Sequence, residues 1–199
     1  SHKFTIMELI IEIIAVITGL LSIWYSYRIN ILVYPIGMIS LALYVFICIK
    51  SFIYTSAVNN FLYIVLSTFG WWICLRVMTT DNGQQTTDKV ELKVSYLSKK
   101  ENAITITILV ILIFFINLFT TNDLSIRLDY YTSAAGLIAM VLTSFKKVEN
   151  WFFYLVADIV LIPLCIYNGL YLTSIQYVAY TILAIMGYIN WNKEAKKNV

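Results

Sequence analysis

The chain has 199 residues, of which 60% are hydrophobic and 13% charged, with a formal net charge of +3. Soluble domains carry about 25% charged residues, so the composition excludes one of any useful size and points to an integral membrane protein in a lipid bilayer. The basic residues form no stripe, which excludes a nucleic-acid partner, and the long continuous apolar runs do not alternate as barrel strands do, so the expected fold class is all-α.

Seven spanning helices are expected, in chain order at residues 6–27, 31–49, 52–78, 103–119, 130–145, 150–167 and 171–191. The first run is too long for a signal peptide and lacks a small-x-small cleavage site, so it is expected to remain a helix. Only one connection is long, the polar stretch 79–102 between the third and fourth helices. Counting Lys and Arg on alternate sides puts three (Lys3, Lys50, Arg127) on one side and eleven on the other, including Arg28, Arg76, Lys146, Lys147 and Lys193. The positive-inside rule then places the N-terminus outside and the C-terminus inside.

A constant offset of 117 residues superposes the first three helices on the last three and pairs Gly19 with Gly136, Tyr63 with Tyr180, Gly70 with Gly187, Cys48 with Cys165 and Tyr34 with Trp151. Eight identities fall in the 58 overlapping positions, and the helix ends coincide, which marks an internal repeat. The expected organisation is a 3+1+3 parallel repeat: residues 1–78 as the first three-helix unit, 79–102 as a cytoplasmic loop, 103–127 as a linker transmembrane helix, and 128–199 as the second unit with a short tail.

Asp158 lies near the middle of the sixth helix, where an ionisable group is by default a functional-site hypothesis. Trp151, Tyr154 and Asp158 share one helical face; Asn60, Tyr63, Ser67, Gly70 and Trp71 share a face of the third helix, and Tyr177 and Tyr180 share one of the seventh. If the repeats pack symmetrically, these faces make two aromatic walls around a carboxylate. Aromatic faces attract cations and stack on flat rings, and Asn, Ser and Tyr read hydroxyls. The expected ligand is a flat, aromatic, cationic small molecule with hydroxyls. The competing reading makes Asp158 a structural hydrogen-bond node, and Tyr54, Tyr130, Tyr131, Tyr171 and Trp191 an interfacial belt.

Other chemistry is argued against. Cys48, Cys74 and Cys165 lack CxxC spacing, and the one histidine, His2, is left out of any mechanism, so neither a metal nor a cofactor is expected. The sequence contains no HExxH, GxSxG or GxxxxGK[ST] pattern, which argues against an embedded enzyme and against an ATP-driven pump within this chain.

YPIGMIS on the second helix, NNFLYIVLSTFGWW on the third, NWFFYLVAD on the sixth and GLYLTSIQYVAYTILAIMGYINW at the end resemble the PnuC family of bacterial vitamin transporters. Its patterns are W-P-x-G, Q-x-x-Y-x(6)-G-W-W and W-x-x-W-x(3)-D/N. Tyr63, Trp71, Trp151 and Asp158 match; Tyr34 and Tyr154 stand at Trp positions, Asn60 at the Gln, and Leu41 where Asn is common. The resemblance implies uptake of nicotinamide riboside across the bacterial inner membrane by facilitated diffusion, with cytosolic phosphorylation trapping the riboside. Thiamine on the same scaffold is the alternative, and a homo-oligomer such as a homotrimer is favoured. Trp151, Tyr154, Tyr63 and Trp71 would stack the ring, and Asp158 and Asn60 would bind polar groups.

Overall fold

Helix boundaries follow the polar residues that interrupt the apolar runs. The computed structural model describes residues 6–50, 54–79, 93–120, 122–167 and 171–198. Its helices are α1 (Ile6–Tyr27), α2 (Val33–Lys50), α3 (Tyr54–Thr79), α4 (Lys99–Phe119), α5 (Leu124–Ser144), α6 (Asn150–Tyr167) and α7 (Tyr171–Lys197).

Two helices begin earlier than expected, and each has a cap to explain it. Ser98 and Glu101 close a capping box, in which Ser98 N donates to Glu101 Oε2 at 2.7 Å and Glu101 N to Ser98 Oγ at 3.3 Å. The end of the polar stretch is therefore helical. Asp123 Oδ1 accepts from Ser125 N at 2.8 Å and Ile126 N at 3.3 Å, which starts α5 at Leu124.

Six of the seven helices are long and apolar enough to cross a membrane. The exception is α5, which carries Arg127, Asp129 and many small polar residues and buries Thr132, Ala135, Gly136, Ala139 and Thr143 against its neighbours. Among the described residues, α1, α2, α3, α5, α6 and α7 pack in a closed ring, with α3 against α5 and α7 against α1. Among the described residues α5 is the one helix that α4 packs on, and α4 exposes Ile104, Val110, Phe114 and Leu118, apolar surface suited to lipid.

Residues 117 apart make equivalent contacts. A Cβ on Gly19 would overlap the Tyr180 hydroxyl, and one on Gly136 would overlap the Tyr63 hydroxyl, so each half seats a tyrosine of the other half against its glycine. Gly70 likewise receives the ring of Tyr34, and Gly187 that of Trp151. The turns after α1 and α5 also match: among the described residues, Ile29 and Lys146 are the two non-glycine residues of positive φ, at 59° and 49°.

The apolar core gathers at the end of the ring that carries these turns, where Val94, Val148, Trp151, Ala184, Trp191 and Ala195 pack together. Residues 93–98 cross this end as a strap. Ser95 N donates to Lys146 O and Val148 N to Ser95 O, each at 3.1 Å, Leu97 N donates to Glu149 Oε1 at 3.0 Å, and Asn198 Nδ2 donates to Val94 O at 3.1 Å. The rest of the polar stretch, 80–92, lies outside the described residues.

Trp191 corrects the belt expectation. It is 2% exposed, and its Nε1 donates to Ser26 O at 2.9 Å, joining α7 to α1. Burial satisfies both parts of the indole, its N–H on a carbonyl and its ring in the apolar core. Trp191→Phe keeps most of the packing but removes one of the two donors to Ser26 O, which also accepts from Ile29 N at 2.9 Å; a lost hydrogen bond of about 0.5–1.5 kcal/mol is expected to lower detergent thermal unfolding by a few degrees, while Tyr171→Phe, at an exposed position, leaves it within a degree or so.

Candidate functional site

Helix α6 carries Asp158 into the ring interior at 7% exposure. Tyr63 of α3, Tyr154 of α6 and Tyr177 and Tyr180 of α7 all lie within electrostatic reach of its carboxylate. No hydrogen bond or ion pair from the described residues holds that carboxylate. Buried polar groups are nearly always satisfied, so a buried carboxylate near four tyrosines and without a protein cation leaves room for a cationic partner. The described residues contain no group of three or more His, Cys, Asp or Glu able to hold a metal ion.

The tyrosines are held individually. The Tyr63 hydroxyl donates to Ser133 O at 3.3 Å beside Gly136, and the Tyr154 hydroxyl is 3.5 Å from Thr143 Oγ1. Tyr177 and Tyr180 pack edge to face with centroids 5.9 Å apart. Gln176 Nε2 donates to the Tyr180 hydroxyl, and Gln176 Oε1 accepts from the Tyr44 hydroxyl at 2.9 Å. Glu12 lies within electrostatic reach of Tyr44.

The remaining expected residues are placed less centrally. Ser67 is 1% exposed within α3. Asn60 turns its amide onto its own helix, with Nδ2 donating to Ser56 O at 2.9 Å, whereas the neighbouring Asn59 reaches Ser133 Oγ at 3.3 Å. Trp71 is half-buried, and no described contact brings it to the tyrosine cluster. Trp151 is 2% exposed, seated on Gly187 and edge-on to Trp191 at 5.5 Å. It is part of the core and reaches the cluster through Tyr154, 6.2 Å away.

Gln176 and Tyr44 were not anticipated. The available signal was an amide at membrane depth one residue before Tyr177 and four before Tyr180, the spacing of a same-face pair.

A family model described as "Nicotinamide mononucleotide transporter" matches residues 9–193. The chain is similar to the nicotinamide riboside transporter PnuC of Escherichia coli K12 and to that of Shigella flexneri, in each case 21% identical over 214 aligned positions that cover 94% of this chain and 87% of the relative. A solved structure titled "Crystal structure of the Vitamin B3 transporter PnuC" matches with a TM-score of 0.74 at 21% identity, covering 100% of this chain and 96% of that one. At that identity the likeness shows the fold.

Proposed function

The chain belongs to the nicotinamide mononucleotide transporter family, and from that premise we propose that it carries nicotinamide riboside into the cell by facilitated diffusion across the bacterial inner membrane. The observation that carries the reading is the buried Asp158 carboxylate, surrounded by Tyr63, Tyr154, Tyr177 and Tyr180 and without a cation of its own. Nicotinamide riboside supplies what the site lacks: a flat pyridinium for the carboxylate and rings, and ribose hydroxyls for Tyr44, Gln176 and the tyrosine hydroxyls. A mononucleotide would bring a phosphate toward a carboxylate, with no lysine or arginine among the described partners of the cluster, so the riboside fits the site better. Cytosolic phosphorylation would then trap the product as an anion and keep the gradient inward.

The path runs through a 3+1+3 array of parallel repeats, a reading supported by the equivalent glycine contacts and left-handed turns 117 residues apart. In it α5 is the seventh span: its 21 residues extend about 31 Å, enough for the hydrocarbon core, and its neighbours α3 and α6 shield its polar face. The N-terminus is outside, with the turns after α1 and α5, the strap and the end of α7 in the cytoplasm, because Lys and Arg concentrate there. The wide apolar face of α4 is open to lipid or to a second copy in a homotrimer.

Flux of labelled nicotinamide riboside into proteoliposomes with no ion gradient tests the proposal. Saturable uptake that stops at equal inner and outer concentrations is expected. Uptake only in a proton or sodium gradient would refute facilitated diffusion, and uptake of thiamine with nicotinamide riboside ignored would refute the substrate.

Gln176→Leu provides a further check. It leaves the Tyr44 and Tyr180 hydroxyls without their shared partner, and a lost hydrogen bond of about 1–1.5 kcal/mol corresponds to a roughly tenfold rise in KM. An unchanged KM would remove the amide from the binding surface.

A further inference from the structure

A small cavity lies between the two left-handed turns. Its lining includes three repeat-equivalent pairs, Ser26 and Thr143, Ile29 and Lys146, and Cys74 and Trp191, each pair 117 residues apart. A cavity lined in this way lies where the two halves meet, which is where a path between parallel repeats must run. It connects to the site through one side chain, since Tyr154 is within electrostatic reach of Asp158 and its hydroxyl is 3.5 Å from Thr143 Oγ1. The first repeat has no such barrier: Gly37 stands at the position equivalent to Tyr154.

Three observations mark this end as built to rearrange. The cavity measures about 30 Å³, room for a water but far short of a nucleoside, so passage requires it to widen. Ile29, a β-branched residue, holds a φ of 59°, a strained conformation of the kind that persists at moving or functional sites. Asn150 Oδ1 and Trp151 Nε1 are buried with no hydrogen-bond partner among the described residues, although Asn150 Nδ2 donates to Thr143 Oγ1 at 2.8 Å. Such orphan atoms need partners in some other arrangement or from a polar guest. Val94 of the strap belongs to the same buried cluster as Trp191, which lines the cavity.

We propose that this cavity is the cytoplasmic vestibule of the transport path, a second station where the nucleoside pauses after passing Tyr154 and before the Val94 strap releases it. This rests on the transport reading above. Cys74, whose thiol faces the Tyr34 hydroxyl at 3.7 Å, is the native reporter of the vestibule.

The test uses protein with Cys48→Ser and Cys165→Ser, so that Cys74 is the one remaining thiol, in right-side-out and inside-out membrane vesicles. A membrane-impermeant sulfonated methanethiosulfonate is added during nicotinamide riboside turnover. Labelling at least tenfold faster from the cytoplasmic face, with uptake lost in proportion, is expected; Cys74→Ser abolishes it, and Ser26→Cys, also in the lining, restores it with the same sidedness. Labelling that leaves uptake intact, labelling faster from outside, or no labelling from either face during turnover overturns the vestibule. Failure of the unlabelled protein to carry nicotinamide riboside would sink the transport reading instead, while the sidedness of Cys74 remains measurable.

Discussion

Asp158→Asn is expected to lower nicotinamide riboside uptake at subsaturating concentration by at least about 30-fold while the protein still folds. The substitution keeps side-chain volume and removes charge. Truncating one partner of a buried charge pair costs about 2–5 kcal/mol, and each 1.4 kcal/mol is tenfold. The apo protein should tolerate the change, because the carboxylate has no protein partner to strand and its burial at 7% exposure is a cost that the amide reduces. Uptake kinetics with thermal unfolding of the same preparation measures both effects. Uptake within threefold of the parent would remove Asp158 from the site, and lost folding would return it to the structural-node reading.

Gly187→Ala has the largest effect expected on stability. A Cβ there would meet three Trp151 ring atoms at 2.5–2.6 Å, and the ring cannot retreat because Trp191 stands edge-on behind it at 5.5 Å. Overpacking of this kind costs about 1–3 kcal/mol, occasionally more, roughly 3–10 °C for a chain of this size. Gly37→Ala is the internal comparison, since its Cβ would meet the Ser22 side chain at 2.7 Å, and a serine hydroxyl can rotate. Thermal unfolding should separate the two by several degrees, and equal values would show that Trp151 is not locked. Because Trp151 touches Tyr154, Gly187→Ala is also expected to slow uptake more than its stability loss alone explains.

The scaffold was largely legible in the sequence because repetition leaves a register. The offset of 117 that pairs Gly19 with Gly136 and Tyr63 with Tyr180 is the register in which hydroxyl and glycine meet across the halves. The apolar runs located all seven helices, with errors at α4 and α5 where short polar caps sit outside the apolar stretch. In the site, the helical faces brought Tyr63, Tyr154, Tyr177 and Tyr180 to Asp158 because periodicity determines which residues share a face.

Periodicity does not determine depth of packing. Trp151 and Trp191 read as a ligand wall and a membrane belt, and both are core residues, because the missing Cβ of Gly187 leaves room for one indole and Ser26 O accepts from the N–H of the other. Nor does it reveal a side chain's choice of partner: the Asn60 amide satisfies itself on Ser56, as short polar side chains on helices often do. The strap was hidden for a related reason. Val94 is one apolar residue in a polar stretch, and only the tertiary structure offers it Trp191 and Val148 as neighbours.

The central claim is that one carboxylate in an aromatic cage selects a cation. It is tested most directly by calorimetric binding of nicotinamide riboside and of its uncharged dihydro form, which has the same ribose and nearly the same ring shape. The parent protein should bind the cation at least tenfold more tightly, and Asp158→Asn should bind the two forms alike. Equal binding of both forms by the parent, or a cation preference that survives in Asp158→Asn, would contradict the account.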